Sequence, residues 1–239
     1  MIPLHDDNPS QITPYVTYTL IVACVLVFFW QLSLGTANQQ AVYALGVIPA
    51  VLFDYASLPP GLDIIPPWLS IFTSMFMHGG WMHLLGNMLY LWIFGDNVEA
   101  SMGHGRFIVF YLLCGVAAAL AQAVPDPQST IPMVGASGAI SGVLGAYLLL
   151  YPHARVLVVI PLGFMFFSER IPAGWLLGFW FVVQLFSSLS SSGEQGGVAF
   201  GAHIGGFIAG MALISLFKHP HVPLFAPPRE PPRDPRRWY

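Results

Sequence analysis

The chain has 239 residues, of which 56% are apolar and only 8% are charged, whereas an ordinary soluble domain carries about 25% charged residues. So few charges cannot cover the surface of a water-soluble fold of this length, and the composition therefore indicates an integral membrane protein. With 8 Lys and Arg against 11 Asp and Glu, the net charge of −3 excludes nucleic acid as a main partner.

Apolar runs long enough to cross a bilayer predict six transmembrane helices. Residues 1–14 contain no Lys or Arg, so the first run, Tyr15–Leu34, is interpreted as a retained helix rather than a signal peptide. The loop of residues 35–80 and the start of the second run carry aromatic residues that suit the headgroup level, namely Trp68, Phe72, Phe76 and Trp81. The five later runs are roughly 81–101, 106–124, 135–151, 172–189 and 198–217.

One further apolar stretch, Val156–Phe167, has only twelve residues and contains Pro161 and Gly163. A helix of that length is too short to span the hydrocarbon core. An interfacial or re-entrant position in the lipid bilayer is therefore predicted for it.

The basic residues orient the predicted helices. If there are six spans, all eight basic residues fall on one side of the membrane, and the loops after spans one, three and five contain none. By the positive-inside rule this side is cytoplasmic, so both termini are expected in the cytoplasm. A bacterial cytoplasmic membrane is the expected location. The eight are Arg106, Arg155, Arg170, Lys218, Arg229, Arg233, Arg236 and Arg237.

The expected fold is an all-α membrane protein. Its parts are a cytoplasmic segment (1–14), a six-helix transmembrane domain (15–217) and a cytoplasmic tail (218–239). The tail contains seven prolines and five of the eight basic residues, a composition that favours disorder.

Four polar residues inside the predicted spans indicate a functional site, because polar groups are costly in a bilayer. His83 and Asn87 lie four residues apart and share one face of span two, Ser137 is near the start of span four, and His203 is near the start of span six. These spans all enter from the outer side, so His83, Ser137 and His203 are expected within ~8 Å of their entry points, with Asn87 one turn deeper.

Small residues at four-residue spacing predict close approach between the helices of Ser137 and His203. A Ser–His hydrogen bond requires such an approach. The small residues are Gly138 and Gly142 in one helix, and Ala202, Gly206 and Gly210 in the other.

This set of side chains can support acyl transfer. Ser137 would be the nucleophile, and His203 the base that takes its proton and later protonates the leaving amine. Asn87 and His83 would donate hydrogen bonds to the oxyanion, with help from the backbone N–H of Ser137. No carboxylate is placed to orient His203, so a Ser–His dyad is predicted.

Other chemistries lack their residues. The sequence has no H-E-x-x-H motif and no paired intramembrane aspartates, and Cys24 and Cys114 show no paired spacing. No metal or other cofactor is therefore expected. Taken singly, the polar residues also have a structural interpretation. G-A-S-G could serve only to pack two helices together, and each histidine could be a buried residue whose hydrogen bonds are satisfied within the fold.

Together, the motifs resemble the rhomboid family of intramembrane serine proteases. The matching stretches are H-G-G-W-M-H-L-L-G-N (78–87), F-G-D-N-V-E (94–99), G-R-F (105–107), G-A-S-G (135–138) and A-H-I-G-G-F-I-A-G (202–210). The resemblance implies a six-helix rhomboid-like bundle. In it, Ser137 matches the family's nucleophile, His203 its base, and His83 with Asn87 its oxyanion-stabilising pair.

The resemblance also implies structural roles for Glu99, which would tie a loop through hydrogen bonds, and for His78. Two positions depart from the pattern of some members. Ser141 stands where an aromatic residue supports the catalytic imidazole, so another group must position His203. Leu69 follows Trp68, where some members have arginine.

The expected function is hydrolysis of a peptide bond near the outer end of a single-span membrane-protein substrate. Two alternatives stay open, namely a catalytically inactive rhomboid-like protein that binds membrane clients and a small transporter or channel. The Ser- and Gly-rich loop Ser187–Gly197 is expected to be mobile and to border the mouth of a water-filled cavity. Its movement would open a lateral path beside span five.

Overall fold

The computed structural model of the protein describes residues 1–190 and 199–227. The chain begins with strand β1 (Ile2–Asp6) and helix α1 (Tyr15–Ser33), which are followed by the short helices α2 (Asn38–Leu45), α3 (Pro49–Leu52) and α4 (Ser70–Thr73). Three long helices come next, namely α5 (Trp81–Met102), α6 (His104–Ala123) and α7 (Ser137–Leu150). Strands β2 (Arg155–Leu162) and β3 (Met165–Pro172) then precede helices α8 (Ala173–Ser190) and α9 (Phe200–Phe217).

Six long helices lie where the sequence predicts the six apolar runs. By length and hydropathy, α1, α6 and α9 could each cross a membrane, and α7 and residues Ala173–Leu189 of α8 are shorter apolar helices. Large apolar side chains such as Leu26, Trp175 and Leu216 are exposed on the outside of the bundle. Such a surface fits a lipid environment better than water.

Helix α7 forms the centre of the bundle, and nearly all of its residues are buried. Its backbone touches that of α9, because a Cβ atom on Gly206 would lie 2.0 Å from the carbonyl oxygen of Gly138. A Cβ atom on Gly210 would lie 1.9 Å from the carbonyl oxygen of Gly142. The predicted close approach of these two helices is therefore confirmed.

The expectation of a purely helical fold is wrong, since the described residues include a three-stranded antiparallel sheet of order β1-β2-β3. The stretch Val156–Phe167 belongs to a β-hairpin whose two-residue turn places Gly163 at a φ of +63°. The run V-L-V-V-I favours a strand because β-branched side chains suit a pleated surface, and glycine accepts the left-handed turn conformation. Strand β1 adds to this hairpin with Ile2 opposite Val159 and Asp6 opposite Val156.

Both ends of the described chain lie at the same end of the bundle. Strand β1 is fixed there by Asp6, which accepts hydrogen bonds from the Tyr147 hydroxyl (2.5 Å) and the Asn97 amide (3.1 Å). On the C-terminal side, the backbone N–H of His219 donates to the Ser101 carbonyl, and that of Phe225 donates to the Leu149 carbonyl.

Residues 218–227 therefore differ from the expected disordered tail. Their backbone groups pair with the carbonyl groups at the ends of α5 and α7, and Val222 and Ala226 are buried. Residues 228–239 lie outside the described part of the chain.

Helix α1 is held at both ends. The Glu99 carboxylate accepts hydrogen bonds from the backbone N–H groups of Val16 and Thr17 and from the Thr17 hydroxyl, at 2.7–3.0 Å. It also contacts Nδ1 of His104 at 2.5 Å. Glu99 is thus structural, as the resemblance implied, but it ties the first turn of a helix rather than a loop. The negative charge of this carboxylate also interacts favourably with the partial positive charge at the N-terminus of α1, which adds to the effect of these bonds.

At the other end of α1, Gln31 bonds to the loop residue His78. The Gln31 side-chain oxygen accepts from the His78 N–H at 2.9 Å, and its amide donates to the His78 carbonyl at 3.3 Å. Burial, and to a smaller extent the neighbouring His83, lowers the pKa of His78 to about 4. The ring is therefore neutral near pH 7.

Candidate active site

Ser137 and His203 meet at the seam between α7 and α9. Ser137 is the first residue of α7, and His203 lies in the first turn of α9. Oγ of Ser137 and Nε2 of His203 are 2.8 Å apart, and the imidazole is buried. On α9, Gly206 and Gly210 lie one and two turns after His203, and on α7 the carbonyls that they contact are those of Gly138 and Gly142, so the seam sets this distance.

His83 approaches the serine across Gly135. A Cβ atom on Gly135 would lie 2.7 Å from both Cε1 and Nε2 of the His83 ring and 3.7 Å from Oγ of Ser137. Gly135 also has a φ of +132°, which favours glycine. Nδ1 of His83 accepts a hydrogen bond from the Gly79 N–H at 3.3 Å. In the neutral ring the proton must then be on Nε2, the atom on the side of Gly135.

Asn87 lies one turn after His83 on α5 and is buried. Among the described residues, its side-chain nitrogen has no hydrogen-bond partner. A buried amide donor without a partner costs free energy, and its presence is typical of a site that binds an acceptor. The backbone N–H groups at the start of α7 also have no partner within their own helix.

The first loop supports the segment that leads into Ser137. The backbone of Val47 pairs in both directions with that of Met133, and the Gly135 N–H donates to the Ser74 carbonyl at 2.9 Å. Of the predicted mouth loop Ser187–Gly197, residues 191–197 lie outside the described residues.

Sequence reasoning missed two groups on α8 that hold the His203 ring. Nδ1 of His203 is 2.7 Å from the side-chain oxygen of Gln184. One turn earlier, the Trp180 ring lies 5.8 Å from the His203 ring at 34°. Ser141 stands at the position where an aromatic residue could have supported the imidazole. Its hydroxyl donates a hydrogen bond to the Ser137 carbonyl of its own helix. The signal for Gln184 was available, since it is a polar residue within an apolar run.

The Rhomboid domain family matches residues 66–220, which is well over half of the chain. The chain therefore belongs to the rhomboid family. Together with the several apolar helices, this membership makes it an integral, multi-pass membrane protein built as a helical bundle.

Similar proteins come from bacteria and from a eukaryotic organelle. Rhomboid protease GluP of Bacillus subtilis (strain 168) is 33% identical over 201 residues, which cover 84% of this chain and 35% of that protein. Rhomboid protein 1, mitochondrial, of Saccharomyces cerevisiae is 29% identical over 191 residues, which cover 74% and 53%. Rhomboid protease GlpG of Salmonella choleraesuis is 28% identical over 200 residues, which cover 83% and 61%. The chain thus spans less than two thirds of the length of each of these relatives.

Proposed function

We propose that this protein is an intramembrane serine endopeptidase that cleaves single-span membrane proteins near the outer end of the span. The observation that carries the proposal is the 2.8 Å contact between Oγ of Ser137 and Nε2 of His203. This distance lies within the range that a nucleophile and its general base need. Several similar proteins are named rhomboid proteases, which supports the same activity.

In the first half of the reaction, Oγ of Ser137 attacks the scissile carbonyl carbon while its proton passes to Nε2 of His203. The resulting oxyanion accepts hydrogen bonds from the Asn87 amide, from Nε2–H of His83 and from the Ser137 backbone N–H. When the C–N bond breaks, the proton on Nε2 goes to the leaving amine, and the substrate's acyl group stays on Ser137 as an ester.

In the second half, a water molecule attacks the ester carbonyl and gives a proton to Nε2 of His203. The same donors stabilise the second oxyanion, and the proton returns to Oγ when the carboxylic acid product leaves. A cavity of about 50 Å³ lies next to Gly135, Gly138 and Ala202 and includes Ser74 in its lining. That volume is enough for a water molecule next to the residues that flank Ser137 in the sequence, although neither Ser137 nor His203 lines the cavity.

The proposal includes the membrane arrangement. Residues 15–217 form the six-span domain, both termini face the cytoplasm, and the host membrane is a bacterial cytoplasmic membrane. The common position of β1 and residues 218–227 at one end of the bundle supports an even number of spans.

The test is cleavage of a single-span reporter by the purified protein in lipid. Ser137→Ala and His203→Ala should each reduce cleavage to the uncatalysed background, and the double variant should be no worse, because the two residues act as one unit. A fluorophosphonate probe should label the wild type and not Ser137→Ala. Ser33→Ala is the matched control, because within the described part of the chain that hydroxyl bonds to nothing but the carbonyl of Trp30 in its own helix.

An inactive protein that binds membrane clients is the second candidate. It predicts stable association with the reporter, no cleavage, and no effect of Ser137→Ala on association. Cleavage that persists in Ser137→Ala would exclude the proposed nucleophile.

A further inference from the structure

The ring nitrogen of His203 that faces away from the serine has a partner of its own. Nδ1 of His203 lies 2.7 Å from the side-chain oxygen of Gln184. Both side chains are 9% exposed, so water does not compete freely for this bond. The chain therefore aligns three groups from three helices, namely Ser137 of α7, His203 of α9 and Gln184 of α8.

The role of this bond follows from the single proton of a neutral imidazole. To accept the serine proton, Nε2 must carry a lone pair, so the ring proton must be on Nδ1. A buried Nδ1–H needs an acceptor, and the amide oxygen of Gln184 is one. If the amide nitrogen faced the ring instead, it would favour the opposite tautomer, in which Nε2 cannot take a proton.

We infer that Gln184 is a positioning residue that fixes the reactive tautomer of His203, in the place where a Ser-His-Asp triad has its carboxylate. This inference rests on the proposed function for its chemical meaning. An amide suits the site because a carboxylate buried among apolar helices would lose its hydration. The free-energy cost of that loss can exceed the gain from its attraction to an imidazolium.

A second contact from α8 restricts the ring. The Trp180 ring lies one turn before Gln184, and its centroid is 5.8 Å from that of His203, while the Phe200 ring meets His203 edge-on at 6.5 Å. Gln184 therefore sets the protonated nitrogen, and the aromatic rings limit rotation of the imidazole. Both functions come from the surroundings of His203 and not from Ser141.

A purely structural alternative must be separated from positioning. In that alternative the Gln184–His203 bond only holds α8 against α9, as polar side chains do between membrane helices. Its loss would lower stability without changing which ring nitrogen of His203 is protonated. Under this alternative, the Gln184–His203 bond would also have no influence on the pH dependence of catalysis.

Two variants at position 184 distinguish these roles. Gln184→Met keeps the length of the side chain and removes the acceptor, whereas Gln184→Glu keeps the acceptor and adds a charge. Loss of an orienting carboxylate in a triad lowers kcat by about 10⁴, and we expect a smaller fall of roughly 10²-fold for Gln184→Met with KM unchanged. Val183→Met, on the exposed side of α8, is the matched control and should retain full rate.

Gln184→Glu should remain active at alkaline pH. The acidic limb of its pH–kcat profile should move to higher pH by about one to three units, because a carboxylate favours the protonated ring. Among the residues that the structure describes, the titratable group whose charge acts on His203 is His83 of α5, and it is the same in every variant. An unchanged profile in Gln184→Glu, or full kcat in Gln184→Met, would overturn the inference.

A readout that needs no catalysis completes the test. In protein labelled with ¹⁵N-histidine, with the His203 signal assigned by its loss in His203→Ala, the wild type should show Nδ1–H and an unprotonated Nε2. Gln184→Met should shift the population toward Nε2–H. A wild-type ring protonated on Nε2 contradicts the inference even if the protein proves to be no protease, and the expected tautomer supports it in that case also.

Discussion

The amide nitrogen of Asn87 is a buried donor that has no partner among the described residues. If it serves the oxyanion, Asn87→Ala should leave folding intact and lower kcat, since loss of one such donor typically costs ~10²–10³ in rate. Removal of an unpaired amide also predicts equal or higher thermal stability. Single-turnover cleavage and a melting curve measure both effects. Full rate at saturating substrate would exclude the oxyanion role.

Asp6 makes the docking of β1 depend on pH. Burial, with a smaller effect of the Asp7 charge, raises the pKa of Asp6 from 3.8 to about 6, although the Tyr147 hydroxyl opposes the shift. The folded state therefore favours the protonated carboxyl. The protonated carboxyl contributes on the order of 3 kcal/mol to the free energy of unfolding. This contribution is complete below pH 4 and is lost as pH rises through 6. The other groups around Asp6 are Asn97 and the carboxyl of Asp96.

Hydrogen exchange of residues 2–6, corrected for intrinsic rates, should thus be slower at pH 5 than at pH 7.5. Asp6→Asn should reduce this difference, because the amide does not titrate. Equal protection at both pH values in the wild type contradicts the prediction.

At the same residue scale, the sequence predicted the serine and histidine that meet but not the group that holds the histidine. Ser137 and His203 stand in recognisable motifs at the starts of two apolar runs. Gln184 stands alone in its run, and only the packing of α8 on α9 shows which residue it faces. Spacing within one helix predicts a shared face, whereas contacts between helices depend on rotation about each axis.

Among the elements, the long helices were predictable and the sheet was not. Apolar runs in a membrane protein favour helices because each backbone group must find a partner inside the segment. The predicted bounds 81–101 and the observed Trp81–Met102 differ by one residue. The sequence did not predict strand β1, because its partner Val156–Val159 lies about 150 residues away. Pairing at such distance is set by the tertiary fold.

The tip of the β2–β3 hairpin is apolar on both of its faces. Five of its side chains are exposed, namely Leu162, Phe164, Met165, Phe166 and Phe167. Successive residues of a strand point to opposite faces, so a protein partner would cover only one of the two. Lipid can cover both, and we therefore expect the tip to enter the membrane interface.

A nitroxide at Phe164→Cys, in a protein with Cys24 and Cys114 replaced, tests this placement. The label should collide more often with oxygen than with a water-soluble nickel complex. A label at Ser168→Cys, nearer the charged base of the hairpin, is the control and should show the reverse. Equal nickel accessibility at both sites contradicts the prediction, and spin–spin broadening would instead indicate a second copy at the β3 edge.

For the whole molecule, the position of Ser137 and His203 in the bundle determines where the proposed protease would cut a substrate. Ser137 and His203 lie at the starts of α7 and α9, opposite the end that holds β1 and residues 218–227. A substrate carbonyl must leave its helical hydrogen bond before attack. We expect cleavage within the first two turns of the outer end of the substrate span, at a small residue near Gly or Pro.

Mass spectrometry of the product termini measures this depth. Moving the scissile segment to the bilayer centre should abolish cleavage, while the same segment at the outer end of an unrelated span should still be cut. Product termini from the cytoplasmic half of the span would contradict the proposed topology.

The pairing of β1 with β2 has a consequence for biosynthesis. Strand β1 is synthesised before its partner, Arg155–Leu162, and four of the long helices lie between the two strands in the sequence. Until β2 is made, β1 has no partner strand, and Ser137 lacks His203 until α9 is made. If the chain has the proposed activity, it is therefore expected to cleave neighbouring membrane proteins only after α9 has been inserted.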